Sequence, residues 1–424
     1  MVVVDAGPRE RAASHGNAGW VVPSLAAPVP GPGLLGQSLR WMSRSDSPLY
    51  IRPRADPAFW RWILAFWRHC NERDFRAGFE AVAAFAAPTM TLFDRLRAEG
   101  VVFEERRDGL VFVYRSPTEL VTDHRRLELL RPFGYQVPPL LDGDGVRSLE
   151  PVLGEGVVGG YRIPGERHLL PETLVDGLVH RLGEAGVVLR HETAVVGFDE
   201  DHGRIAAVSV VDRGTGEGRT PAFERIAAEA VVVCAGAWTP DVLRLVGSWL
   251  PIAAGKGYSL DYRPPPNLAD PVRHPLYLHE ARIAVSPFDG MVRLAGTMEL
   301  SGQINGVDPR RVAAIPRSTA GYLRNWPTDP ARATTWAGAR PMTPDGLPAI
   351  GHLPGFANLL VATGHAMLGV TLALATGEAV AEILVSGHPP AGALPFDPGR
   401  FGRRHRADGN EHQTILSPSR VRRS

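Results

Sequence analysis

Lysine is almost missing from this chain of 424 residues: Lys256 stands alone, and arginine carries nearly all of the positive charge. We read that imbalance as genomic base composition, not as mechanism. Cysteine is nearly as scarce. Cys70 and Cys234 form neither a disulfide framework nor a metal-ligand set, and a reducing cytoplasm fits them. Cys234 sits inside an apolar strand and reads as a buried thiol. No apolar run reaches the ~18 residues that suggest a membrane-crossing helix. The chain opens on a core strand, so no signal peptide is expected. A net charge of +1 argues against general nucleic-acid binding. No repeat of ~20–50 residues is visible, which excludes solenoids and propellers.

What is present suits a globular protein with a large core. Hydrophobic residues make up 44% and charged residues 21%, and the length predicts two domains. Residues 20–57 are rich in Pro and Gly and read as loop, with a short helix near Leu34 to Met42. Apolar spacing predicts helices over Phe59 to Cys70, Gly78 to Gly100, Pro171 to Gly186 and Pro309 to Trp326. Strands are expected at Val187 to Arg190, Ala194 to Phe198, Ile205 to Val211, Val231 to Cys234, Tyr258 to Tyr262, Ile283 to Pro287 and Met291 to Ala295. Val101 to Glu105 and Leu110 to Tyr114 read as a strand pair around Asp108-Gly109. Beyond about Gly387 the chain turns Pro-rich and then Arg-rich, and a disordered tail over 387–424 is expected.

The stretch from Gly338 to Glu382 says most about chemistry. An Arg-Pro precedes the turn Thr343-Pro344-Asp345-Gly346; a short apolar strand, a second turn, a buried strand over Leu359 to Ala362 and then Gly364-His365 lead into a small-residue helix. A strand that runs through a glycine turn into a helix aims backbone N–H groups and the positive helix end at one point, which suits an anionic or electron-rich ligand. Arg340 lies just upstream, and a planar guanidinium is a natural bidentate partner for a carboxylate.

This segment resembles the C-terminal signature of the FAD-dependent D-amino acid oxidase and dehydrogenase family, most of all the bacterial D-amino acid dehydrogenase small subunits. Three blocks in the expected order support the likeness: Val2 to Pro8 followed by Gly16-Asn17-Ala18-Gly19, Val231 to Trp238, and Gly255-Lys256-Gly257-Tyr258-Ser259. The resemblance runs from Val2 to Glu382 and departs from the family at one place. Such proteins open with a strand, a G-x-G-x-x-G turn and a helix, about 30 residues that cradle a pyrophosphate. Here the residues begin at what resembles the second strand, with Asp5 at its acidic end. Either a late start site or a truncated relative accounts for that.

The resemblance implies an α/β fold: a Rossmann-like FAD-binding domain lacking its first strand and helix, interleaved with an α+β substrate domain on a mixed or antiparallel sheet. The FAD domain would comprise 1–50, 145–245 and 341–386, and the substrate domain 51–144 and 246–340. FAD would be held non-covalently, because sarcosine-oxidase relatives carry a flavin-linking Cys near the place that Arg340 takes. Arg340 and Tyr258 would bind the substrate carboxylate; Tyr258 reads equally as a core residue. Asp5 would bond the ribose hydroxyls, Asn17, Ala18 and Gly19 would lie along the flavin ring, and Val195 and Val196 would place backbone groups on the adenine. Ala235 and Gly236 would lie near the diphosphate and ribose. Gly364, His365, Met367, Leu368 and Gly369 would face the reduced flavin, whose negative charge a helix N-terminus stabilises by ~0.3–1 kcal/mol. His365 itself reads as a structural hydrogen-bonder or as a base. Tyr161, Trp336 and His279 have no motif support and read as core. Phe59 to Arg68 is aromatic and basic; it suits packing in the substrate domain or rest on a membrane surface.

The implied reaction is oxidative deamination of a D-amino acid to a 2-oxo acid and ammonia, by hydride transfer from the α carbon to flavin N5. No residue is assigned as acid or base, since the neutral amine's lone pair drives the departure. A quinone or another carrier would accept the electrons, in a cytoplasmic protein able to touch the inner face of the membrane. A sarcosine-, glycine- or hydroxyproline-type amine oxidoreductase is the alternative. A chain that holds no FAD and catalyses nothing, a remnant or partner subunit, is the alternative of another class.

Overall fold

The computed structural model describes residues 1–34, 36, 49–52, 55–212, 223–263, 270–302 and 306–402. Most of the helix expected at Leu34 to Met42, and the arginines at 403, 404, 406, 420, 422 and 423, lie outside the described residues.

A nine-stranded mixed sheet forms the larger body. Its order runs Ala333–Met342, Ala253–Tyr262, Met291–Leu300, Ile283–Phe288, Leu276–Leu278, Leu110–Tyr114, Gly159–Ile163 and Leu141–Asp142, and Leu49–Ile51 also pairs with Met291–Leu300. Its core packs Tyr258, Leu260, Leu276, Val285 and Leu294 with Val312 and Ile315 of helix Pro309–Thr319. A smaller body carries parallel pairs: Val2–Val4 with Val188–Arg190, and Val231–Val233 with Leu359–Thr363. Ala349–His352 extends the second pair antiparallel, and Thr193–Asp201, Arg204–Asp212 and Phe223–Ala227 form an antiparallel meander. Among the described residues, Val2–Val4 and Val231–Val233 each pair along one edge only. The α/β class with a mixed sheet therefore holds. Gly159–Ile163 belongs to the large sheet, so the sheets do not follow the boundary expected at residue 145.

Local chemistry explains where the elements differ from expectation. The helix read over Gly78 to Gly100 is two helices, Glu72–Ala86 and Thr89–Ala98. Pro88 separates them, because it has no N–H to continue the helical hydrogen bonding. The two segments around Asp108-Gly109 do not pair with each other. All five residues of Leu110–Tyr114 are buried, so this strand sits inside the large sheet, while Glu105–Arg106 pairs with Arg167–Leu169. Helix Pro57–Arg68 starts where the Asp56 carboxylate accepts from the N–H groups of Ala58 and Phe59. It buries Phe59, Trp62, Ile63 and Phe66 and leaves Trp60, Leu64 and Trp67 exposed. Helix Gly369–Ser386 is long and apolar enough by composition to cross a membrane; its Leu372, Ala375 and Ala379 pack in a core with Phe79, Val82 and Ala83.

The expectation of disorder is corrected over residues 387–402; residues 403–424 lie outside the described residues. Residues 391–401 form two short 3-10 turns, and Phe396 is fully buried against Phe85 with ring centroids 5.0 Å apart. Cys234 is corrected too: strand Val231–Val233 ends before it, and the thiol is exposed on a cavity wall. Phe396→Ala is expected to cost ~3–5 kcal/mol, read as an earlier urea midpoint. An unchanged midpoint would show that residues 391–401 do not hold the core together.

Candidate functional site

A single large cavity of about 2470 Å³ lies between the two bodies. The small body contributes the unpaired edges of Val2–Val4 and Val231–Val233, and the large sheet contributes Gly257, Gly296, Thr297, Gly338 and Arg340. Ordinary ligand pockets measure ~300–1,000 Å³, so this one has room for a dinucleotide and a second small molecule together.

Arg340 is set by its neighbours on the large sheet. Strands Ala253–Tyr262 and Ala333–Met342 pair with Gly257 opposite Gly338 and Gly255 opposite Arg340. The guanidinium lies over Gly257, where a Cβ would come within 2.2 Å of Nη1. Nη1 donates to the Thr297 carbonyl at 2.9 Å. Among the described residues no carboxylate stands within 4 Å of it. Burial alone pushes its pKa down to about 10, so it remains a cation at neutral pH, deep in the fold with one face open to the cavity. A desolvated cation with no counter-charge is a receptor for an anion.

The strand-turn-helix segment faces the same space. Gly364 has φ +80°, and a Cβ there would lie 2.8 Å from Thr343 Cγ2. Ala366 holds the left-handed region at φ +47° and helix Gly369–Ser386 starts three residues later, which turns the helix N-terminus to the cavity. His365, Met367, Leu368 and Gly369 all line it. His365 Nε2 pairs with Thr376 Oγ1 at 2.9 Å, and burial pushes its pKa down to about 4. It is a neutral hydrogen-bonding group, so of its two sequence readings the structural one fits.

The loop Gly16 to Gly19 is clamped from both sides. Asn17 Oδ1 accepts from the Gly19 N–H at 2.7 Å, Ser286 Oγ donates to the Ala18 carbonyl at 2.7 Å, and Arg293 Nη1 donates to the Asn17 carbonyl at 3.0 Å. Burial works against the Arg293 charge, yet Asp261 and Glu172 hold its pKa above the ordinary arginine range. Gly19 has φ +71°, and a Cβ there would stand 1.9 Å from the Leu169 carbonyl oxygen, so only glycine fits. The Trp336 indole covers Gly16 and Gly338, and its Nε1 donates to the Glu10 carbonyl at 2.8 Å.

Most residues singled out in the sequence meet at this cavity. Asp5, Asn17, Ala18, Gly19, Val195, Ala235 and Gly236 line it together with Arg340 and the helix start. Asp5 ends its strand with Oδ1 accepting from the Gly7 N–H at 2.9 Å. The Val196 side chain is exposed and outside the cavity lining; the expectation for it concerns its backbone. One expectation is corrected. Tyr258 borders the cavity, but its hydroxyl donates to Glu299 Oε2 at 2.6 Å, and Glu299 also holds Lys256 Nζ at 3.3 Å. That hydroxyl is committed to the buried pair and does not await a carboxylate. Sequence reasoning missed Trp336, His279, Tyr161, Tyr277 and Arg282 as cavity residues. Glycines at 16 and 338 under an indole were the only local signal for Trp336; the others come from strands far apart in the chain.

Comparison with known proteins agrees with this geometry. A family described as FAD dependent oxidoreductase matches residues 1–383. The D-amino acid dehydrogenase of Cereibacter sphaeroides is 32% identical over 384 residues, covering 89% of this chain and 84% of that protein. The D-amino acid dehydrogenase of Rhizorhabdus wittichii is 33% identical over 389 residues, covering 89% and 88%. Among solved structures, glycine oxidase from Geobacillus kaustophilus superposes with a TM-score of 0.68 at 22% identity, covering 94% of this chain and 91% of that one. Iminodiacetate oxidase from Chelativorans sp. gives 0.68 at 20% identity, covering 94% and 92%.

His365 supplies a test of the site's burial. Its folded pKa of about 4 lies below the ordinary 6.5, so it must gain a proton on unfolding in acid. The stability linked to it is complete above pH 6.5 and is lost as pH falls through about 4. His365→Gln is expected to remove about one proton from the uptake that accompanies unfolding near pH 5. Unchanged uptake would place this imidazole in water.

Proposed function

The chain belongs to the FAD dependent oxidoreductase family, and we propose that its reaction is the oxidative deamination of a D-amino acid to a 2-oxo acid and ammonia. It is an FAD-dependent amino acid oxidoreductase; the substrate class is the proposal. The observation that carries it is Arg340, a cation with no acidic partner within 4 Å among the described residues, facing a cavity large enough for cofactor and substrate. The dehydrogenase relatives support the choice of D-amino acids.

The residues present fit the adenosine and ring ends of FAD; the glycine turn that cradles the pyrophosphate in the family is not among them. Asp5 would hold the ribose hydroxyls, Val195 the adenine through its backbone, Ala235 and Gly236 the diphosphate side, and the Gly16 to Gly19 loop with the 364–369 turn the ring. FAD, when bound, supplies a two-electron acceptor for the hydrogen that leaves the substrate carbon. The chain does the rest. Arg340 fixes the carboxylate, which holds the α carbon in one place. The N-terminus of helix Gly369–Ser386 favours negative charge on its cavity side. His365 is neutral and bonded to Thr376, and the lone pair of a neutral amine would drive the departure of hydrogen from the α carbon. A quinone as electron acceptor fits the exposed stripe of Trp60, Leu64 and Trp67 beside Arg61 and Arg68, which suits the surface of a membrane. The second reading, a glycine- or secondary-amine-type substrate, is supported by the likeness to glycine oxidase and iminodiacetate oxidase.

The test is optical. The chain as given, and a form extended to the next in-frame start upstream, are mixed with FAD and desalted. Retained yellow colour that D-alanine bleaches without oxygen supports the proposal. Bleaching by sarcosine or glycine alone favours the second reading. Two colourless forms would favour a chain that holds no FAD, a reading that the unpaired strand edges on the cavity keep in view. In the active form, Arg340→Ala is expected to lower kcat/KM about a hundredfold, mostly through KM, in line with ~1.5–3 kcal/mol for a hydrogen bond to a charged group. Gly257→Ala should raise KM as well, since its methyl displaces the same guanidinium. A KM like that of the parent in both would remove Arg340 from substrate binding.

A further inference from the structure

The cavity holds another arginine that the proposed reaction does not use. Arg282 immediately precedes strand Ile283–Phe288, whose neighbour Met291–Leu300 supplies the Thr297 carbonyl that holds Arg340. Both strands are distorted at this level. Arg282 has φ +54° and Thr297 has φ +67°, each in the left-handed region without being glycine. Such backbone is strained and persists where the surrounding fold imposes it, often at ligand sites. The two distortions abut: a Cβ at Gly296 would lie 3.6 Å from the Arg282 carbonyl oxygen and 3.2 Å from Ile283 Cγ1. One strained junction thus places two guanidinium groups on a common cavity.

The surroundings of Arg282 leave it a cation without a close acid. Its Nη1 donates to Tyr277 Oη at 3.3 Å, and among the described residues no carboxylate stands within 4 Å. The two nearest acids are engaged elsewhere. His279 lies 3.3 Å from Asp123 and 3.5 Å from Glu119, and Asp123 also accepts from Tyr114 Oη. Burial opposes the Arg282 charge, but Tyr277 and the more distant Asp123 and Glu119 hold its pKa above the ordinary arginine range. A guanidinium satisfied by one long phenol contact has donors to spare on its cavity side.

We propose that Arg282, with Tyr277, is a specificity-determining point that takes the side-chain carboxylate of the substrate, so that the preferred substrates are dicarboxylic D-amino acids. The inference rests on Arg340 as the receptor for the α-carboxylate. A substrate with two carboxylates neutralises both cations of the junction; one with an aliphatic side chain leaves Arg282 unsatisfied in a cavity it has just dehydrated. The penalty of an unpaired buried polar group is what gives such sites their selectivity.

Two measurements test it on the complete chain. In the FAD-loaded enzyme, the ratio of kcat/KM for D-aspartate or D-glutamate over D-alanine is expected to exceed one and to fall at least ~10-fold in Arg282→Leu. Tyr277→Phe, which keeps the ring packing on Trp20 and Phe112, is expected to lower the ratio by a smaller factor. An unchanged ratio, or equal losses on all substrates, overturns the proposal. The other measurement needs no turnover. Succinate is expected to raise the melting temperature of the parent chain more than acetate at equal ionic strength, and Arg282→Leu is expected to abolish the difference. A difference that survives the substitution overturns the assignment of Arg282. If no D-amino acid bleaches the flavin, the proposed reaction fails by itself, while the succinate comparison still decides about Arg282.

Discussion

An arginine charge held out of water without an acid beside it is the constraint around which this cavity is organised. Desolvation penalises the Arg340 cation, and among the described residues only the Thr297 carbonyl answers it. Its strand neighbours are arranged to keep that state. Gly257 leaves room for the planar group, and the left-handed Thr297 turns its carbonyl toward it. The adjacent cation, Lys256, is satisfied by Glu299 and by the Gly306 carbonyl, and Glu299 also takes the Tyr258 hydroxyl. Glu299 is thereby spent on its own pair. The sheet spends its nearby acid on lysine and leaves the arginine for a ligand.

The small body answers with the opposite polarity of backbone. Its strand-turn-helix presents N–H groups and a helix N-terminus, and its Gly16 to Gly19 loop is fastened to the large sheet through Ser286 and Arg293. The clamps matter because a site built on loops loses precision unless its neighbours lock it. Trp336 adds a lid of aromatic surface between the loop and the sheet. Function therefore depends on the two bodies meeting at one cavity, not on either alone.

Motifs that are local in the chain were legible. The glycines at 19, 236 and 364 take left-handed backbone, and strands Val231–Val233 and Leu359–Thr363 form close to where their apolar runs indicated. Side-chain commitments were not legible. Tyr258 looked available because nothing near it in the chain names Glu299 as its partner, 41 residues away. Cys234 looked buried because an apolar strand was extended one residue too far, to the point where the wall of the cavity begins.

Motif blocks in a set order carried the family likeness, and that likeness implied the α/β class; the glycine turns were legible because backbone conformation is set by residues within a few positions of each other. Only the tertiary structure decided which charges would be paired. Arg340 and Arg282 are 58 positions apart, and among the described residues neither has a carboxylate within 4 Å; Asp123 and Glu119 act on Arg282 only from farther off. That absence is a property of packing: counter-charges arrive from distant strands, and no spacing in the chain records which ones fail to come.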